Sequence, residues 1–143
     1  MTQIKIPFAL KSIETLEFAT FDKVYKDGDE VGIETNFNFG VSREEHSLAV
    51  HFSLVFICHE KPFIKLKLAC DFDIEPLSFK KFTVMKSNSL KVPKSFFTHL
   101  SVLTVGTARG VLHAKLENTE YDHFLLPTLN ISEMIKEDVE FSA

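Results

Sequence analysis

The chain has no tryptophan and only two tyrosines, against fifteen phenylalanines. Phenylalanine supplies large apolar area without a polar handle, so these rings suit cores or greasy binding surfaces. Arginine occurs only as Arg43 and Arg109, and the net charge is -4. No Lys/Arg stripe interleaves with aromatics, which argues against nucleic acid as a partner. No apolar run approaches the ~20 residues that span a bilayer, so membrane insertion is not expected. The start, Met-Thr-Gln-Ile-Lys-Ile-Pro, lacks the apolar segment and small-residue cleavage site of a signal peptide. A cytoplasmic setting is the expectation, and the two cysteines, Cys58 and Cys70, fit a reducing compartment. Internal repeats, linkers and low-complexity segments are also missing, so residues 1–143 read as one domain with a single core.

Catalytic and metal signatures are absent too. There is no G-x-S-x-G, P-loop or G-x-G-x-x-G. None of His46, His51, His59, His99, His113 and His123 falls into a paired-ligand spacing. Cys58 and His59 are adjacent, which in a strand sends them to opposite faces. Asp71 and Asp73 alternate with Phe72 and read as a solvated edge. The expectation is a non-enzyme with no metal and no cofactor.

What is present is alternation. Val31, Ile33, Thr35, Phe37, Phe39 and Val41 share one face of a strand, with Glu34, Asn36 and Asn38 opposite. Leu48, Val50, Phe52, Leu54 and Phe56 form a second apolar face, and Ile64, Leu66, Leu68, Cys70, Phe72 and Ile74 a third. Asp27-Gly28 is a strong hairpin signal, because a type I′ turn needs positive φ at both central residues. A two-residue loop there sets Val24 opposite Val31, Phe18 opposite Phe37 and Leu16 opposite Phe39. A loop at 42–45 sets Phe39 opposite Leu48 and Phe37 opposite Val50. The turn around Glu60-Lys61-Pro62 keeps apolar opposite apolar only with an odd loop length. The result is a four-stranded antiparallel meander, greasy on one face. It sets Cys70 opposite Val50 or Phe52, far along the ladder from Cys58 and beyond disulfide reach. On the wetter face, Phe21 and Tyr25 share a direction with Val55 and Ile57. This predicts a second apolar patch, either covered by another segment or left as a contact surface.

Residues 76–92 read as a short helix or irregular segment tucked against the core through Phe79, Phe82 and Val84. Pro93 suits the first turn of a helix whose apolar face is Phe96, Phe97, Leu100, Leu103, Thr104 and Ala108. Gly106 and Gly110 fall in it or at its end, which suggests close approach by another backbone. Asn130 with Glu133 resembles a capping box for a short second helix carrying Ile131, Met134 and Ile135. The acidic tail, 136–143, reads as frayed.

This order of features resembles the SecB protein-export chaperone family. Thr107-Ala108-Arg109-Gly110 is similar to the Ser-Arg-Gly that follows the family's first long helix. Leu126-Pro127-Thr128-Leu129-Asn130-Ile131 is similar to the Pro-x-x-Asn entry to its second. These motifs span 93–135, and strand order and spacing carry the likeness over most of the remainder. The resemblance implies an α+β fold with one long and one short C-terminal helix on one face of the sheet. It implies a homotetramer, built as a dimer of dimers, that holds unfolded polypeptide clients without ATP. Client contacts transfer to Phe37 and Phe39, to Leu126 and Leu129, and to Met134 and Ile135; the alternative is that all six fill the core of the protomer, and strand alternation favours that for Phe37 and Phe39. Arg109, Gly110, Pro127 and Asn130 are the matching signature positions.

The chain departs from the family in three places. The stretch from Gly110 to Pro127 is long, and either extends the helix through Ala114 or forms a larger lid. The last helix is short. The tail carries no Cys or His for the zinc-dependent contact to the SecA motor seen in some members, so an export motor is the least supported partner. A module dedicated to one protein partner, such as an antitoxin, and a small-ligand pocket under 111–127 stay open as alternatives.

Overall fold

The structure, a computed structural model, describes residues 5–143. Four long strands come first: β1 (Phe8–Thr20), β2 (Gly32–Ser42), β3 (Ser47–Cys58) and β4 (Lys61–Ile74). They form one antiparallel sheet in the order β1-β4-β3-β2. Then follow α1 (Pro76–Lys80), β5 (Thr83–Val84), β6 (Ser89–Val92), the long helix α2 (Lys94–Leu116), α3 (Ile131–Met134) and β7 (Val139–Phe141). The α+β class and the greasy sheet face covered by C-terminal helices stand as expected.

The strand neighbours differ in one respect. β2, β3 and β4 form the meander, but β1 pairs with β4 at the far edge, not with β2. Phe18 lies opposite Leu66 instead of Phe37, and Leu16 sits at a register shift in β1. Alternation fixes which face a side chain takes, not which strand lies alongside, so either edge satisfied the pattern. The Asp27-Gly28 signal is a real turn inside the β1–β2 crossover. Gly28 has φ 92°. The Lys26 N–H donates to Asp29 Oδ2 at 3.0 Å, and the Asp29 N–H donates to the Lys26 carbonyl at 3.0 Å.

Two finer registers also move. Phe39 faces Val50 and Phe37 faces Phe52, an even slip from expectation that keeps every side chain on its face. At the β3–β4 turn, Cys58 pairs with Lys61 across a two-residue loop. His59 and Glu60 have φ of 52° and 63°, as a type I′ turn requires. The odd residue appears instead as a bulge, because Ile57 faces Pro62 while Phe56 faces Ile64. The extra residue is Phe63, which is fully buried. Cys70 faces Val50, as expected, and both cysteines are free and buried.

The core lies between β3–β4 and α2. Phe52, Leu54, Leu66 and Leu68 meet Phe97, Leu100, Ala108 and Leu112, all essentially buried. Leu103, expected on this face, is exposed instead. Phe79 and Phe82 pack against each other and reach Phe96, closing one end of the sheet as expected. The other end is closed by an aromatic cluster beneath 117–124. Tyr25 stacks on Phe63 at 5.2 Å, and Phe124 meets Tyr25 edge-on at 5.0 Å.

The long stretch after Gly110 extends α2 to Leu116, past Ala114, so both glycines are interior to the helix. A Cβ at either would meet no heavy atom within 4 Å. α3 starts without the expected box: Asn130 makes no side-chain cap and instead accepts from Ser132 Oγ at 2.8 Å. The tail is tied down, not frayed. β7 pairs with β6 in a small three-stranded sheet with β5. Asp138 Oδ1 accepts the Lys94 N–H at 2.8 Å, and Arg43 donates to the Ser142 carbonyl at 2.9 Å. No described helix is long and apolar enough to cross a membrane.

Candidate functional site

β2 is an edge strand, so one side of its backbone has no ladder partner within the sheet. The chain returns beside it at 134–140, and between the two lies an open groove of about 690 Å³. Phe37, Phe39, Met134, Ile135 and Val139 supply its apolar surface. Lys136, Glu137, Asp138 and Glu140 add a mostly acidic lining. Phe37 and Phe39 lie parallel, 6.3 Å apart, and are half-buried. Each is braced from below, Phe37 by Phe52 at 5.0 Å and Phe39 by Phe97 at 4.4 Å. They therefore share both readings: each is partly core and partly groove wall. Met134 is 40% exposed, while Ile135 is buried at the base of the segment.

The other two expected contact residues lie elsewhere. Leu126 is 3% exposed and belongs to the core. Leu129 lines a second, smaller depression of about 360 Å³ with Val102, Val105, Arg109 and Ile131. The signature positions are connected through Arg109, whose Nε donates to the Leu126 carbonyl and whose Nη2 donates to the Pro127 carbonyl, both at 3.1 Å. The guanidinium is thus the clasp that fixes the crossover along α2. Asn130 borders the same depression. Gly110 makes no close approach within the chain.

The expected second patch does not assemble. β4 stands between β1 and β3, and the register sets Lys65 between Ala19 and Val55 on the outer face. Lys65 Nζ lies 5.9 Å from the Phe21 ring, so a charge separates Phe21 from Val55 and Ile57. Tyr25 turns inward to the aromatic cluster.

Two further surfaces are exposed and apolar. Leu10 and Ile13 on the core side of β1, and Leu16 at its bulge, are 48%, 49% and 42% exposed, because α2 lies over β3 and β4 and leaves the β1 edge open. The outward face of α2 carries His99, Val102, Leu103, Gly106, Gly110 and His113, without one Lys, Arg, Asp or Glu.

A polar cluster lies apart from these, where the crossover meets the β3–β4 turn. Asp29 Oδ2 is 3.1 Å from His59 Nε2 and 3.6 Å from Cys58 Sγ. Adjacent residues face opposite ways only while both are extended; the positive φ of His59 breaks that rule and turns its ring to the Cys58 side. The Lys26 N–H, and then the His59 and Cys58 donors, hold the Asp29 carboxyl below its ordinary value against an opposing effect of burial. Burial, followed by the Asp29 charge, pushes the Cys58 thiol up. Sequence reasoning missed this grouping, since nothing in the spacing brings Asp29 to the far hairpin.

No protein-family model matches the chain, and no curated protein matches it by sequence. Among solved structures, it is similar to the SecB-like chaperone Rv1957 of Mycobacterium tuberculosis in complex with a ChAD peptide from the Rv1956 HigA1 antitoxin. The TM-score is 0.55 at 10% identity, over 86% of this chain and 91% of that one. At that identity the likeness is one of architecture: the chain has the SecB-like fold.

Proposed function

We propose that the protein is a holdase of SecB type that binds extended, non-native polypeptide along the β2 groove without ATP or any enzymatic step. The observation that carries this reading is the pairing of an unpartnered strand edge with an apolar wall. An extended peptide takes main-chain hydrogen bonds from an open edge, while side-chain pockets select alternate residues. Phe37, Phe39 and Met134 offer adaptable apolar surface of the kind that suits varied clients. The mostly acidic lining favours segments that flank their apolar residues with Lys or Arg.

Assembly belongs to the same reading. The exposed β1 residues and the uncharged α2 face are the surfaces on which a dimer of dimers would form. A cytoplasmic setting accords with two free cysteines. Delivery to an export motor is not part of this reading.

The test is suppression of aggregation. At stoichiometric amounts the protein slows light scattering by several unfolded proteins, and Met134→Glu, at an exposed position, weakens the effect. Failure against every client sinks the holdase reading. A dedicated partner module is the second reading, favoured by the antitoxin peptide bound to the similar chaperone. Recovery of one dominant partner in a pull-down would select it.

A further inference from the structure

The geometry points to a binding site for a divalent transition metal of the zinc class, formed by Asp29, Cys58 and His59 where the β1–β2 crossover meets the β3–β4 turn. The three donor atoms lie within 4.8 Å of one another. Metal–oxygen and metal–nitrogen bonds of about 2.0–2.2 Å and a metal–sulfur bond of about 2.3 Å give tetrahedral edges of about 3.3 Å between oxygen and nitrogen and about 3.5 Å between oxygen and sulfur. The Asp29–His59 separation is 3.1 Å and the Asp29–Cys58 separation 3.6 Å. Two edges of the tetrahedron are therefore in place before any ion arrives. The Cys58–His59 edge closes by rotation of the His59 ring, whose side chain is 67% exposed and free to swing.

The donor set selects the class of ion. Thiolate, imidazole and carboxylate together suit zinc and its neighbours, whereas magnesium and calcium require oxygen ligands throughout. The charges also close. A divalent ion held by one thiolate and one carboxylate makes a neutral unit, which lowers the cost of sinking it beside the buried Cys58. Loading converts the Cys58 thiol into a metal thiolate and releases one proton to solvent for each ion bound. The imidazole binds in its neutral form through Nε2, with its proton on Nδ1.

The surroundings are those of a held ligand. The Lys26 N–H donates to Asp29 Oδ2, and the Asp29 N–H closes the same turn on the Lys26 carbonyl. Main-chain support of this kind fixes a carboxylate's direction. Cys58 ends β3, and the type I′ turn puts His59 beside it. His59 also lines an open depression, so water can reach the ion and complete its shell. A bound ion would staple the crossover that leads into β2 to the hairpin of the two central strands.

Cobalt titration of the chelator-stripped full chain tests the site directly. The expected result is a thiolate-to-cobalt charge-transfer band with intense tetrahedral d–d bands, saturating at one ion per chain. His59→Asn keeps a residue that tolerates positive φ and removes the imidazole; it should weaken binding at least tenfold, as should Asp29→Asn. Cys70→Ala should leave the spectrum unchanged. Zinc should raise the melting temperature of the wild type and not that of Asp29→Asn. A titration without the charge-transfer band overturns the proposal, as does a midpoint that His59→Asn leaves unmoved or a band that disappears in Cys70→Ala.

Discussion

Tyr121 donates its phenolic hydroxyl to the carbonyl of Phe21 at 2.7 Å, joining positions 100 residues apart. The bond fastens the turn after α2 to the start of the β1–β2 crossover, over the Tyr25, Phe63 and Phe124 rings. Tyr121→Phe keeps the ring and removes the bond. A net hydrogen bond is worth about 0.5–1.5 kcal/mol, so urea unfolding should shift by about that amount with an unchanged slope. Client binding at the β2 groove should not change.

Arg109 is the only described link from α2 to the carbonyls of both Leu126 and Pro127. Lysine keeps the charge and loses the fork. Arg109→Lys should lower stability by about 1.5–3 kcal/mol, the range for hydrogen bonds to charged groups. Amide exchange should speed up through 126–131 more than in β3 or β4.

Gly106 and Gly110 distinguish a free helix face from a packed one. Each glycine costs about 1 kcal/mol in a helix interior relative to alanine, and a Cβ meets nothing within 4 Å at either site. Gly106→Ala and Gly110→Ala should therefore raise the stability of an isolated protomer. If the α2 face packs against another copy, the same changes should shift the assembly toward smaller species in size-exclusion chromatography with light scattering. A stabilised chain whose assembly is unaltered would place the α2 glycines outside any contact between copies.

Alkaline pH should destabilise the fold in two stages. Burial holds the Cys70 thiol above its ordinary value of 9.0, with the Thr104 and Thr107 hydroxyls offsetting part of the effect. Burial, then the charges of Glu120 and Asp22, holds Tyr121 above its ordinary 10.0. For both groups the fold favours the neutral form. Their stability contribution is full below the unfolded values and is lost as pH rises through the raised folded ones. Unfolding free energy should fall from about pH 9 upward, and Cys70→Ala should shrink the first stage, leaving the share of the Cys58 thiol, which burial also pushes up. Asp29 acts in the opposite sense: its carboxyl is held below 3.8, so its contribution is present above that value and disappears as pH falls through the lowered one.

The sheet faces were legible because burial on one side imposes a period of two, which β3 and β4 follow except at Ser47, Ala69 and the Phe63 bulge. Strand neighbours were not, since β1 presents the same apolar face to β4 as it would to β2. The Phe63 bulge left a trace, the demand for an odd residue at the β3–β4 turn, but alternation cannot say whether that residue sits in the loop or the ladder. Of the expected contact residues, Phe37, Phe39, Met134 and Ile135 border one groove, although the sequence holds them far apart. Leu126 differs because Arg109 pulls its carbonyl inward, an interaction between side chain and backbone that no hydrophobic pattern records. The Asp29, Cys58 and His59 cluster depends on a crossover whose path follows from the placement of β1, so it was out of reach until that strand was located.

The position of β1 also bears on how the chain is made. Phe8 pairs with Ile74, so the sheet's first strand must wait for its last one to be synthesised. At translation speeds of about 5–20 residues per second, that delay is roughly 3–13 s. Through it, Leu10, Ile13 and Leu16 travel on an unpaired apolar ribbon, the kind of segment that invites edge-to-edge association. Each newborn copy is, for those seconds, a polypeptide in need of shelter.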